Sequence, residues 1–150
     1  MCAAALLPKV ESYASYAEVE KVLEGFESYN LPRAQWTHAA HLTVAFWYLV
    51  CYPLEEATAK IRDGIQRYNQ AQGIRQTNDG GYHETLTLFW VRLVRQHLTT
   101  ATLEGHLVSL LNELIRRCGR HLPFEYYSHD RLFSWEARTS WVEPDLKKLP

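Results

Sequence analysis

From Ala34 to Cys51 the chain carries no formal charge, although charged residues make up 22% of the whole sequence. Within this stretch Trp36, Leu42, Val44, Phe46, Trp47, Leu49 and Val50 fall on several faces of a helix rather than on one. A helix that is apolar nearly all round is stable only when other elements enclose it. The stretch therefore predicts the central helix of a bundle and demands amphipathic partners. Its longest apolar run, Leu42 to Cys51, is about half of the ~20 residues a membrane span needs, so no transmembrane helix is expected.

The partners are readable from periodicity. Ser15-Tyr-Ala-Glu18 has capping-box spacing, and Val19, Val22, Leu23 and Phe26 then recur at three- and four-residue intervals to about Ser28. Pro32 punctuates the chain after this first helix, since it biases Leu31 away from helical angles. Pro53 suits the first turn of a third helix, which runs to about Tyr68 on Leu54, Ala57, Ile61 and Ile65. Asn69 to Gly81, polar and glycine-rich, reads as the longest loop and a candidate lid. A fourth helix is expected from about Tyr82 to His97, with Leu86, Phe89, Trp90, Leu93 and Val94 inward. A fifth is expected from about Thr102 to Cys118, with Leu103, Leu107, Leu110, Leu111 and Leu114 inward and Gly119 as its closing glycine. Beyond Pro123 the aromatic cluster Phe124, Tyr126, Tyr127, Phe133, Trp135 and Trp141 predicts a tail packed back onto the bundle. No strand-period run is long enough to build a sheet, so the fold class is all-α, a single-domain bundle of about five main helices.

At 150 residues the length suits one domain. Sixteen Lys and Arg against seventeen Asp and Glu leave a formal charge of −1, so no overall field draws the chain to nucleic acid or anionic lipid. The expected partners are a small-molecule substrate or ligand and, in a further reading, a second copy forming a homodimer. Neither nucleic acid nor membrane is expected. Cys2, Cys51 and Cys118 are odd in number and lack C-x-x-C spacing, which suggests reduced thiols in a cytoplasmic protein. Cys51, following an apolar helix, is expected to be an inert buried thiol. The apolar run Cys2 to Leu7 lacks the basic flank and length of a secretory signal. No phosphate-binding loop or nucleophile elbow is present, and no nucleotide cofactor is expected.

One constellation suggests chemistry. Trp36-Thr-His38-Ala-Ala-His41 sets two imidazoles at i and i+3 on one helix face, close enough for both to reach one ion. Gly80-Gly-Tyr82-His83-Glu84-Thr85 opens the fourth helix, where the dipole favours a neutral ring at His83. The leading expectation is a small metal-dependent enzyme, hydrolase or oxygen-using. In it His38, His41 and His83 bind one zinc or iron, and Glu84 is a fourth ligand or the catalytic acid/base. Trp36, Tyr48, Tyr82 and Arg92 are the candidate ligand-binding residues around it. The opposing reading makes the same histidines ordinary side chains hydrogen-bonded to backbone, water or tyrosines. Two alternatives to the enzyme are a metal-free small-ligand binding protein, whose pocket uses the histidines as hydrogen-bond donors beside Tyr48 and Trp36, and a non-catalytic interaction module whose aromatic tail covers a partner.

The motifs W-T-H-x-A-H-L (Trp36 to Leu42), G-Y-H-E-T (Gly81 to Thr85), R-L-F-S-x-E-A-R (Arg131 to Arg138) and W-V-E-P-D-L (Trp141 to Leu146) resemble a bacterial family of small proteins with no established activity. The resemblance implies that His38, His41, His83 and Glu84 act as a group. It also draws Arg131, Arg138 and Trp141 into the set of pocket or packing residues. It supplies no reaction.

Overall fold

The computed structural model describes residues 12–101 and 106–150. Among them the order is α1 (Tyr16–Glu27), a 3₁₀ turn (Arg33–Gln35), α2 (His38–Cys51), α3 (Leu54–Ala71), α4 (Glu84–Thr100) and α5 (Leu107–Arg117). A second 3₁₀ turn (Leu122–Glu125) and the short α6 (His129–Leu132) and α7 (Trp135–Thr139) complete it. The fold is all-α, and no described residue lies in a strand. No helix among the described residues is long and apolar enough to cross a membrane.

The charge-free helix is enclosed as its composition requires. α2 packs against α1, α3, α4 and α5, and Ala40, Leu42, Thr43, Val44, Ala45 and Phe46 are buried in consequence. Thr43 is tolerated there because its hydroxyl donates to the Ala39 carbonyl at 2.7 Å and meets the Tyr13 hydroxyl at 2.9 Å. The aromatic tail forms a second apolar cluster of Tyr126, Tyr127, Leu132, Ala137 and Val142 against Phe89 of α4. Trp90 packs against both clusters and joins them.

Several helix ends differ from the periodicity reading, each for a local reason. α2 starts at His38, not near Ala34, because the Thr37 side chain accepts from the Ala40 N–H and caps the helix. α3 continues to Ala71, which puts Asn69 on a helix and shortens the loop. α4 starts at Glu84 because His83 is itself the cap, and it runs on to Thr100. Within the described residues α5 starts at Leu107; its expected beginning at 102–105, like the apolar run 2–7, lies outside them. Gly119 comes after Cys118 without the left-handed angle expected of a closing glycine, since the described glycines with positive φ are Gly73 and Gly81. Cys51 is exposed rather than buried, because it ends α2 on the solvent side.

Gly64 of α3 marks where two helices come closest. A Cβ there would lie 2.7 Å from Cζ of Phe26, whose ring is hemmed in by Trp36, Tyr48 and Tyr68. Alanine ordinarily gains about 1 kcal/mol over glycine inside a helix, whereas overpacking costs about 1–3 kcal/mol. With Phe26 unable to yield, the clash wins. Gly64→Ala is expected to lower the thermal midpoint by a few degrees, and an unchanged or raised midpoint in a melting curve would contradict this packing.

Candidate functional site

The three histidines are fixed by three different pieces of backbone. At the start of α2, His38 Nε2 donates to the Cys118 carbonyl at 2.7 Å, tying α2 to the end of α5. His41 Nδ1 donates to the Thr37 carbonyl at 2.7 Å, with its ring 3.7 Å from that of Trp36. His83, 6% exposed, uses both nitrogens: Nδ1 accepts from the Leu86 N–H at 3.1 Å, and Nε2 donates to the Leu132 carbonyl at 2.7 Å. Carbonyls only accept, so each ring carries its proton on the nitrogen that faces one.

Burial is the first cause that lowers the pKa of all three. It takes His41 down to about 4, offset only in part by the Thr37 carbonyl, and it lowers His38 and His83 as well. Arg120 adds to the effect at His38, and Arg138 adds to it at His83. The rings are therefore neutral at pH 7, as the helix-end argument anticipated for His83, but they do not form one ligand set. His38 and His41 are near enough to influence each other's charge, whereas His83 has no lone pair free of a hydrogen bond. Among the described residues no group of three or more His, Cys, Asp or Glu side chains is arranged to hold a metal ion.

Glu84 is also engaged. Arg62 of α3 donates to it from Nε at 2.9 and 3.0 Å and also from Nη2, while the Tyr82 hydroxyl donates to Oε2 at 2.8 Å. Both carboxylate oxygens are filled, so the side chain expected to handle protons instead clamps α4 to α3. Tyr82 is raised above the ordinary phenol range by burial and then by this carboxylate. The sequence reading did not single out Arg62, because nothing in linear spacing pairs it with Glu84, 22 residues on.

The other predicted residues scatter. Tyr48 donates to Glu27 at 3.1 Å, and Arg92 lies over the Trp141 ring at 4.4 Å, holding the tail to α4. Arg131 bonds the Glu143 carbonyl, and Arg138, 3% exposed, donates from Nη1 to the carbonyls of Gly80, Gly81 and Tyr82. These three resemblance residues pack and pin. His97 meets the Leu110 carbonyl, and exposed His129 stacks on Phe124 and lies against Phe133.

Trp36 and His38 do share one feature, a cleft of about 1110 Å³ between α1, the first 3₁₀ turn, the start of α2 and the end of α5. Half-buried Val22, Trp36 and Ile115 supply its apolar walls, and exposed Lys21, Arg116 and Arg120 give its rim three cations against one carboxylate, Glu18. Glu18 is occupied by the Ala14 N–H at 2.8 Å. Residues 37–40, the positive end of the α2 dipole, also line the cleft. Linear spacing does not pair the two arginines with Trp36; the fold brings them to the border of the same cleft. Comparison of the chain with family models, with curated proteins and with solved structures finds no match.

Arg62→Met leaves the mostly buried Glu84 carboxylate with Tyr82 alone, and chemical denaturation should show a loss of about 1–2 kcal/mol; no loss would mean the clamp is only a surface pair. Because His38, His41 and His83 sit below their unfolded value of 6.5, the unfolded chain takes up protons first as pH falls. Stability is then greatest above about pH 6.5 and declines as pH drops from there towards about 4. Melting across that window should show the decline, with a shallower slope in His83→Asn, whose carboxamide can still cap α4; equal slopes would remove His83 from the account.

Proposed function

We propose that this protein binds a small anionic molecule with an apolar body in the cleft of Trp36 and His38, without a metal. The observation that carries the reading is the pairing of apolar walls with three cations and a helix N-terminus in one cleft. Its volume of about 1110 Å³ slightly exceeds the ~300–1,000 Å³ typical of small-molecule sites, which leaves room for a ligand and its water. Trp36 supports the apolar body from a rigid position, since its ring lies 5.0 Å from Phe26 and 5.1 Å from Tyr68. Lys21, Arg116 and Arg120 favour a carboxylate or phosphate group at the rim. His38, with its Nε2 proton given to Cys118, keeps Nδ1 as an acceptor for a ligand hydroxyl or N–H. A metal-dependent enzyme built on His83 would first have to release that ring from both of its hydrogen bonds, and Glu84 from Arg62 and Tyr82.

The test is a thermal-shift and calorimetric panel of octanoate, benzoate, phenyl phosphate and the uncharged benzyl alcohol. The anionic compounds are expected to raise the midpoint, in a salt-sensitive way, and benzyl alcohol is not. Replacing Arg116 and Arg120 together with glutamine should weaken the best anion by about tenfold or more while leaving the fold intact. Absence of stabilisation by every anion, or binding indifferent to the double variant, would end the reading. Stabilisation by zinc or iron salts alone, lost in His38→Ala, would return the metal-dependent alternative.

A further inference from the structure

A second cavity, of about 400 Å³, lies away from the histidines at the end of α3 and along the adjoining loop, and its chemistry is different. Its lining includes four carboxamides, Gln66, Asn69, Gln70 and Gln76, with Arg75 and Tyr82, and no carboxylate. Asn69 decides the matter. Its main-chain carbonyl accepts the Ile74 N–H at 2.8 Å, but its side-chain amide, in a residue only 9% exposed, has no hydrogen-bond partner among the described residues. That amide is not sealed off either; it opens on the cavity it lines. Water reaches the amide through that opening, and a polar ligand seated in the cavity can take the water's place on it.

The backbone beside the cavity is held in place, while the side chains of Arg75 and Gln76 are exposed. Gly81 adopts φ +84°, and a Cβ there would fall 2.7 Å from the Arg75 carbonyl oxygen and from Gln76 Cα, so the two backbone stretches lie in direct contact. The Thr77 N–H closes the loop onto the Gly80 carbonyl at 3.0 Å, and Arg138 grips the carbonyls of Gly80 and Gly81. The Tyr82 hydroxyl proton is committed to Glu84, so this side chain has no donor left for the cavity.

We propose that this cavity binds a monosaccharide-sized polyol bearing one anionic group, a carboxylate or a phosphate. A carboxamide presents a donor and an acceptor together, and so does a hydroxyl, so buried Asn69 and the exposed Gln66, Gln70 and Gln76 offer hydroxyl groups partners in both senses. Arg75 adds one planar fork for an oxyanion, and the lack of a carboxylate in the lining removes the repulsion that would exclude it. The volume lies at the small end of the ligand-site range, which suits one sugar ring and not an oligomer. The assignment is independent of the cleft at Trp36.

The full-length ¹⁵N-labelled protein is titrated with glucuronate, glucose 6-phosphate and glucose while the Asn69 side-chain amide and the amides of residues 73–76 are followed. Saturable shifts at these positions are expected with an anionic sugar at a Kd of about 1 mM, and glucose should bind at least about fivefold more weakly. Glucuronate acting without glucose 6-phosphate assigns the anion as carboxylate, and the reverse assigns phosphate. Asn69→Ala should weaken binding about tenfold with a nearly unchanged melting midpoint, because water satisfies the amide in the free protein and no described residue bonds it, and Arg75→Gln should erase the preference for the anion. Asn69→Ser, which keeps one hydroxyl, serves if the alanine variant folds poorly and is expected to lose less. The proposal is overturned if no sugar gives saturable shifts at about 50 mM, if glucose binds as well as the anionic sugars, or if the Asn69 variants bind like the parent. Octanoate binding at the Trp36 cleft is read in the same variants and should not change, so the two sites fail or stand separately.

Discussion

Enclosing α2 is the constraint to which the other elements answer. A helix without a charged residue gains little from water on any face, so α1, α3, α4 and α5 each present it with an apolar stripe, and its end at Val50 and Cys51 emerges. Close packing then leaves little freedom for individual residues. Phe26 reaches α3 only where Gly64 makes room, and Trp36 is held between Phe26, His41 and Tyr68. The polar groups that cannot avoid burial are paired locally, as Thr43 is with Ala39 and Tyr13.

The same enclosure explains what the histidines do. In a packed interior an imidazole is both desolvated and close to carbonyls left open at helix ends and turns, so the neutral ring becomes a connector with a defined tautomer. His38 connects α2 to the end of α5, and His83 caps α4 while reaching α6 through Leu132. These are cross-links between elements far apart in sequence. A ligand set would need lone pairs converging on one point, whereas these hydrogen bonds diverge towards separate strips of backbone. Arg62 and Glu84, and Arg92 with Trp141, extend the same scheme to the charged residues.

Chemistry is left where the bundle opens. At the start of α2 the N-terminal dipole and the basic end of α5 meet apolar walls, and at the end of α3 a carboxamide-lined hollow forms against a loop pinned by Gly81 and Arg138. The first suits an anion with a greasy body, the second a polar ring. Both occur at helix ends, where backbone groups and long side chains remain unpaired by the core.

Local pattern alone determined the all-α class, the central place of the charge-free helix and the return of the aromatic tail to the bundle; that α4 receives it was decided by the packing. These stem from hydropathy at helical period, a property that each segment carries by itself. The ends of the helices were less legible, because a capping ring such as that of His83 or a hydroxyl such as that of Thr37 shifts a boundary without changing the periodicity. Cys51 was misjudged for a similar reason: the apolar run says that a helix is buried, not which of its ends emerges. The site was the least legible part. Whether His38, His41 and His83 converge and whether Glu84 is free depend on partners such as Cys118, Thr37, Leu132 and Arg62. Several of these contacts come from backbone carbonyls, which every residue possesses and no side-chain pattern advertises. Tertiary packing alone decides which carbonyl meets which ring.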